Sequence, residues 1–304
     1  MPSLSRRDFL RTIPALPAAP LVVKSVQAEP LLDLHQHTNY SGRTNQQLVA
    51  HQMHHQVKTT VLLPGDGWML SEVGDNASCA AMQADYPNLF LRFACADVAE
   101  SRTIDVLRGN IHRGAIGIGE LKFHVAVDAP EMHRVFKLAE ELNVPVLIHF
   151  EYETYDTGLE RLPVVLKAYP TVVFIGHAQT WWGNISADVN PLDLYPKGPV
   201  KPGGLTDRLL SDYPNIYGDL SAESGLNALT RDPDFARDFV ARHSRKLVWG
   251  SDCACHDGKG AGTRQGYCIA ERSLAALHQL VPNGMALRRI LYDNGADILR
   301  PKTI

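Results

Sequence analysis

Eight short runs rich in Val, Ile, Leu and Phe recur along this chain, at 31–37, 58–63, 89–96, 115–123, 144–150, 171–177, 215–221 and 246–252. An unbroken apolar run is what a strand buried on both faces of a parallel sheet looks like. Stretches of helical periodicity lie between them, clearest at 130–142, 159–169, 205–211 and 234–243, and two more at 265–280 and 285–299 follow the last run. Strands alternating with helices imply βαβ units. Eight such units predict an α/β chain folded as a closed (β/α)8 TIM barrel, which ordinarily takes about 250 residues. An open doubly wound sheet is the alternative architecture, disfavoured because no glycine-rich phosphate loop follows the first run.

The first 28 residues stand apart from this pattern. Arg6-Arg7-Asp8-Phe9-Leu10 precedes a mildly apolar stretch at 12–23 and then Val26-Gln27-Ala28, in the order of a basic start, an apolar middle and a small-residue cleavage site. The arginine pair is similar to a twin-arginine signal, which addresses a protein to the twin-arginine export machinery. The expected division is a signal peptide over 1–28 and one barrel domain over 29–304, in a periplasmic or secreted protein. Pro14, Pro17 and Pro20 interrupt the apolar stretch, which also falls short of the roughly 20 residues that span a bilayer, so no membrane anchor is expected.

Hydrophobic residues at 45% and charged residues at 21% are ordinary for a soluble globular domain. Loss of 1–28 removes four basic residues and one acid, taking the net charge from -3 to -6. Nothing basic remains to attract nucleic acid. Five cysteines, Cys79, Cys95, Cys253, Cys255 and Cys268, are an odd count at irregular spacing. They make no disulfide framework, and allow a bridge or two at most.

The chemistry lies where the runs end. The first closes Leu34-His35-Gln36-His37, and side chains two apart on a strand share a face. The fourth closes Gly119-Glu120-Leu121-Lys122, the fifth Leu147-Ile148-His149, the sixth Ile175-Gly176-His177 and the eighth Gly250-Ser251-Asp252. A lone His-x-His is weak evidence, and by itself a pair of hydrogen-bonded core histidines explains it better. Five strands delivering such groups to one rim are another matter, because an ionised side chain buried without a partner costs several kcal/mol, on the order of 5. On a barrel that rim is where active sites sit. The economical reading is a divalent cation.

With these residues in this order the chain resembles the amidohydrolase superfamily, in its amidohydrolase-related (amidohydrolase 2) branch. It is also similar to the TatD-type hydrolases at the fourth strand. The resemblance runs over the whole of 29–304 and includes Trp249-Gly250-Ser251-Asp252 and Ile290-Leu291-Tyr292-Asp293-Asn294-Gly295-Ala296. It implies that His35, His37 and Asp252 hold one metal ion, that His149 and His177 hold a second if there is one, and that a fourth-strand group bridges them. Glu120 is the expected bridge, since a carboxylate ligates without modification. Lys122, carbamylated in other members, is expected instead to orient a substrate carboxylate or pair with Glu120. Asp252 is expected to handle the proton of the attacking water. Zinc is the expected ion, with manganese or iron as alternatives.

Four further residues carry open readings. His124 is a substrate contact or an exposed loop histidine. Trp181 and Trp182 suit a ring-bearing substrate, or pack a loop onto the barrel. Glu223 faces substrate or serves the first turn of the following helix. His51, His54 and His55 have helical spacing and read as a solvated face; Cys253-Ala254-Cys255 reads as loop packing near the site.

The function implied is metal-dependent hydrolysis of an amide, a lactone or other ester, or a phosphoester of a small molecule. A one-metal decarboxylase on the same barrel is the alternative, and a non-catalytic metal- or ligand-binding barrel a third. A homo-oligomer is neither indicated nor excluded.

Overall fold

The computed structural model describes residues 29–300 apart from Thr263. The expected twin-arginine signal over 1–28, with its expected cleavage site, lies outside the described residues. Eight parallel strands occur: β1 Leu31–Gln36, β2 Val57–Leu62, β3 Phe90–Arg92, β4 Ile118–Leu121, β5 Val146–His149, β6 Phe174–His177, β7 Ile216–Asp219 and β8 Leu247–Val248. Each falls inside or within one residue of an apolar run. They pair in sequence order as β1-β2-β3 and β4-β5-β6-β7-β8.

Backbone hydrogen bonds close the ring on both sides. Ala94 N donates to Gly117 O and Gly119 N to Ala94 O, both at 2.9 Å, joining the strand after β3 to β4. Leu34 N donates to Trp249 O at 3.2 Å and Asp252 N to His35 O at 2.8 Å, joining β8 to β1. An open sheet would leave these edges unpaired, so the doubly wound alternative is set aside.

The helices are α1 Asn45–His54, α2 Asn76–Asp85, α3 Thr103–His112, α4 Pro130–Leu142, α5 Leu162–Ala168, α6 Ala178–Gly183, α7 Leu205–Asp212, α8 Ala222–Thr230, α9 Pro233–His243, α10 Ile269–Leu280, α11 Gly284–Arg288 and α12 Asn294–Leu299, the last two joined by a π-helical turn. Local chemistry sets several ends. Thr44 and Gln47 form a reciprocal capping box on α1, and Pro130 starts α4, which ends at Asn143 in the left-handed region. No helix among the described residues is long and apolar enough to cross a membrane.

Leu34, Val61, Phe93, Leu147, Ile175 and Val248 come from or adjoin six different strands yet pack on one another. Only the interior of a barrel allows that. A second, larger cluster contains Val146, Ile148, Phe174 and the apolar faces of the surrounding helices. The pleat then decides orientation: His149 follows Leu147 by two and His177 follows Ile175 by two, so both imidazoles point inward. Their strands pair in register with His149 opposite His177.

Candidate metal centre

Two strands depart from regular pleating where the site needs it. The β1–β2 register shifts between Asp33 and Gln36, and the β4–β5 register between Ile118 and Leu121. These irregularities turn His35 and Glu120 into the same interior space as His149 and His177. Gly119 serves the second one: its φ is +138°, and a Cβ there would lie 2.8 Å from Leu147 O. Asp252, beyond the end of β8, has a φ of 44°, a strained conformation held by its backbone bond to His35 O.

All six residues expected to ligate come together. His35 Nε2 lies 3.1 Å from His37 Nε2. Asp252 Oδ1 is 3.4 Å from His37 Nε2 and 3.9 Å from His35 Nε2, and Glu120 Oε2 is 3.6 Å from both. Ligand bonds of about 2.1 Å at octahedral or tetrahedral angles place neighbouring ligand atoms about 3.0–3.4 Å apart. The four donors thus sit close to the edges of one coordination shell. Asp252 Oδ1 is buried with no hydrogen-bond partner, an atom that a cation would satisfy.

The other oxygen of Glu120 faces the opposite way. Its Oε1 lies 2.5 Å from His149 Nδ1 and 3.7 Å from His177 Nε2. Glu120, His149 and His177 form a second three-donor group, and Glu120 belongs to both.

Fixed partners set the tautomers. His37 Nδ1 lies 2.7 Å from Leu63 O, and a carbonyl only accepts, so Nδ1 carries the proton and Nε2 presents its lone pair. Asp219 does the same for two rings. Its Oδ2 is 2.7 Å from His35 Nδ1 and 3.2 Å from His177 Nδ1, and Ser221 Oγ donates to it at 2.7 Å. A carboxylate behind a ligating imidazole orients it and raises its basicity. Asp219 ends β7 as His177 ends β6; the same rim logic that selected the histidines applies to it.

The charges fit a cation-binding cluster. Burial opposes ionisation of Glu120, yet His149 and His35 hold its carboxyl well below the usual range. Burial likewise opposes ionisation of Asp252, and His35 and His37 prevail, keeping it low. Burial favours neutral His35, but Asp252, Asp219 and Glu120 together lift it well above its ordinary value. Burial and the charge of His35 lower His177. Three carboxylates at the centre of a barrel call for positive charge.

The space in front of the cluster is narrow, about 40 Å³, lined by Tyr40, Trp68 and Lys122 as well as His37, Glu120, His149 and Asp252. Lys122 makes no ion pair with Glu120. Its Nζ lies 5.1 Å from the centre of the Trp68 ring and 5.3 Å from that of Tyr155, and these two rings stack at 4.9 Å. Tyr40, Trp68 and Tyr155 follow β1, β2 and β5 in rim loops, and no spacing in the sequence marks them.

The structure decides the readings left open and overturns one, that of His51. Trp181 and Trp182 are not over the site: both are buried in the core, Trp181 stacked on Phe150 and Trp182 donating to Asp219 O at 2.8 Å. Gly176 and Gly218 leave room for them, since a Cβ on Gly176 would meet Trp181 at 2.5 Å. Glu223 is held by Arg264 and by the Tyr267 hydroxyl at 2.7 Å, and lines a separate cavity of about 790 Å³ instead of the space at the cluster. His124 is exposed, bonded to Thr154 O at 2.9 Å and packed on Tyr155. His51 is no solvated residue; it is fully buried, and of the α1 histidines only His54 is exposed. All five cysteines are free and buried.

Residues 43–300 match the family described as Amidohydrolase, a match that begins after His35 and His37. No curated protein matches the chain. Among solved structures, the probable 2-pyrone-4,6-dicarboxylic acid hydrolase of Acinetobacter baumannii is 17% identical with a TM-score of 0.61, covering 88% of this chain and 98% of that one. The dihydroorotase of Campylobacter jejuni is 17% identical with a TM-score of 0.58, covering 90% and 84%. A dihydroxybenzoic acid decarboxylase of Polaromonas sp., with bound manganese, is 10% identical with a TM-score of 0.56, covering 90% and 97%. At such identities these structures share the fold, and they include both a probable hydrolase and a decarboxylase. With most of its length matched and a buried set of imidazoles and carboxylates suited to a divalent cation, the chain belongs to the amidohydrolase family.

Proposed function

We propose that this protein is a two-metal hydrolase acting on a small ester, lactone, amide or phosphoester. The observation that carries the reading is the division of Glu120: Oε2 faces His35 and His37, while Oε1 faces His149 and His177. A carboxylate so placed would hold one ion with His35, His37 and Asp252 and a second with His149 and His177, in keeping with the likeness to the TatD-type hydrolases. When bound, such ions acidify water from a pKa of about 15.7 toward about 7 and polarise the scissile carbonyl or phosphoryl group.

The chain's own residues do the rest. Asp252, kept ionised by His35 and His37, accepts the proton of the attacking water and returns it to the leaving group. Asp219 holds the His35 and His177 rings so that their Nε2 atoms face inward. Lys122, over Trp68 and Tyr155 at the mouth, binds an anionic group of the substrate, which suits a carboxylate-bearing ester or lactone. Zinc is the proposed ion, and manganese or iron would fit the same imidazole and carboxylate donors. Export through the twin-arginine signal over 1–28 belongs to the same proposal; changing Arg6 and Arg7 to Lys and fractionating cells tests it.

A one-metal decarboxylase is the second reading, and one distance favours it. At 2.5 Å, His149 Nδ1 and Glu120 Oε1 share a proton and sit closer than two atoms bound to one ion. Product analysis on metal-loaded protein separates the two. Hydrolysis puts one labelled oxygen from water into the acid product of an ester, lactone or amide substrate; release of CO₂ from an aromatic acid contradicts the proposal.

A further inference from the structure

Outside the carboxylate-bearing cluster, three side chains with imidazole or thiol donors gather around Cys268 Sγ. His51 and His55 lie one helical turn apart at the end of α1. Cys253 follows Asp252, and Cys268 precedes α10. Cys268 Sγ is 3.7 Å from Cys253 Sγ, 3.5 Å from His51 Nε2 and 3.4 Å from His55 Nε2. His51, Cys253 and Cys268 are buried, and their donor atoms form a mutually close group.

A thiol donates one proton and its sulfur is only a weak acceptor, so three hydrogen bonds at Cys268 Sγ are a weak reason for this convergence. The His51 ring is also oriented for ligation. Gln52 Nε2 donates to Asp33 Oδ2 at 2.9 Å and to Thr60 Oγ1 at 2.8 Å, which leaves its Oε1 as an acceptor. His51 Nδ1, 3.0 Å from that oxygen, therefore donates, and Nε2 turns its lone pair to the sulfur. Zinc bonds of about 2.3 Å to sulfur and about 2.0–2.1 Å to nitrogen at tetrahedral angles give edges of about 3.7 Å for S–S and about 3.5 Å for S–N. The three separations from Cys268 Sγ match these edges.

We propose that His51, Cys253 and Cys268, with His55 as the fourth donor, form a second, structural site for Zn²⁺, distinct from the catalytic cluster. Binding replaces the two thiol protons and ties α1 and the start of α10 to the loop that carries Asp252. The site anchors that loop from behind and leaves Asp252 free for chemistry.

The test is titration of reduced, metal-free protein with Co²⁺, which reports thiolate ligation by charge-transfer absorption in the near ultraviolet. The wild type should develop that band and lose it when Zn²⁺ is added. Asp252→Asn, altered only in the nitrogen–oxygen cluster, should keep the band. Cys268→Ser should abolish it, and His55→Ala, on the half-buried edge, should weaken cobalt binding at least about tenfold. Absence of the band in folded wild type with free thiols overturns the proposal. So does a band unchanged in His55→Ala and Cys268→Ser, or a Cys253–Cys268 disulfide in the isolated protein.

Discussion

Asp219 Oδ2 lies 2.7 Å from His35 Nδ1, both groups fully buried, and the same oxygen reaches His177 Nδ1 at 3.2 Å. One carboxylate therefore orients an imidazole from each of the two donor groups. Asp219→Asn keeps the volume but offers an amide N–H where two rings need an acceptor. Metal affinity should fall about 10–100-fold with the fold intact. Isothermal titration with Mn²⁺ beside far-ultraviolet circular dichroism measures this, and unchanged affinity would remove Asp219 from the account.

Trp181 is a core residue. Trp181→Ala should destabilise the protein by about 3–5 kcal/mol, the cost of emptying a large apolar site. Denaturant unfolding reads it directly. A fully stable variant with altered substrate preference would return Trp181 to the site.

Asp207 on α7 accepts from Arg242 Nη1 at 2.8 Å and faces His243 Nε2 at 2.6 Å, both on α9. Burial raises its pKa, but these two partners outweigh burial and hold it below the usual carboxylate range. A depressed carboxyl contributes stability above its unfolded value of about 3.9, and that contribution is lost as pH falls through the folded value. Asp207→Asn should lower stability at neutral pH by about 1–3 kcal/mol and flatten the acid limb below about pH 4. Thermal unfolding at several pH values checks both; an acid limb as steep as wild type would contradict them.

The barrel was legible because each strand lies in, or within one residue of, an apolar run, and five of those runs close on a polar, ligand-type residue. That pattern exposed His35, His37, Glu120, His149, His177 and Asp252 together. Period-two reasoning alone does not align β1 and β4 with the others, since their register shifts at Asp33–Gln36 and Ile118–Leu121 leave no mark in composition. Trp181 and Trp182 left two readings open because α6 is six residues long and follows His177 at once, so a core helix reads as a loop; of the two, packing is what the structure has. Cys268 and His51 are 217 residues apart, and only the folded chain joins them.

The proposed bridging role of Glu120 is tested most directly by Mn²⁺ binding with electron paramagnetic resonance, since manganese prefers oxygen and nitrogen donors and is a poor fit to the proposed thiolate site. Wild-type protein should bind two Mn²⁺ as a spin-coupled pair, and Glu120→Gln should lose the coupling and at least one ion. A single uncoupled ion in the wild type, or a coupled pair that survives Glu120→Gln, would contradict the account.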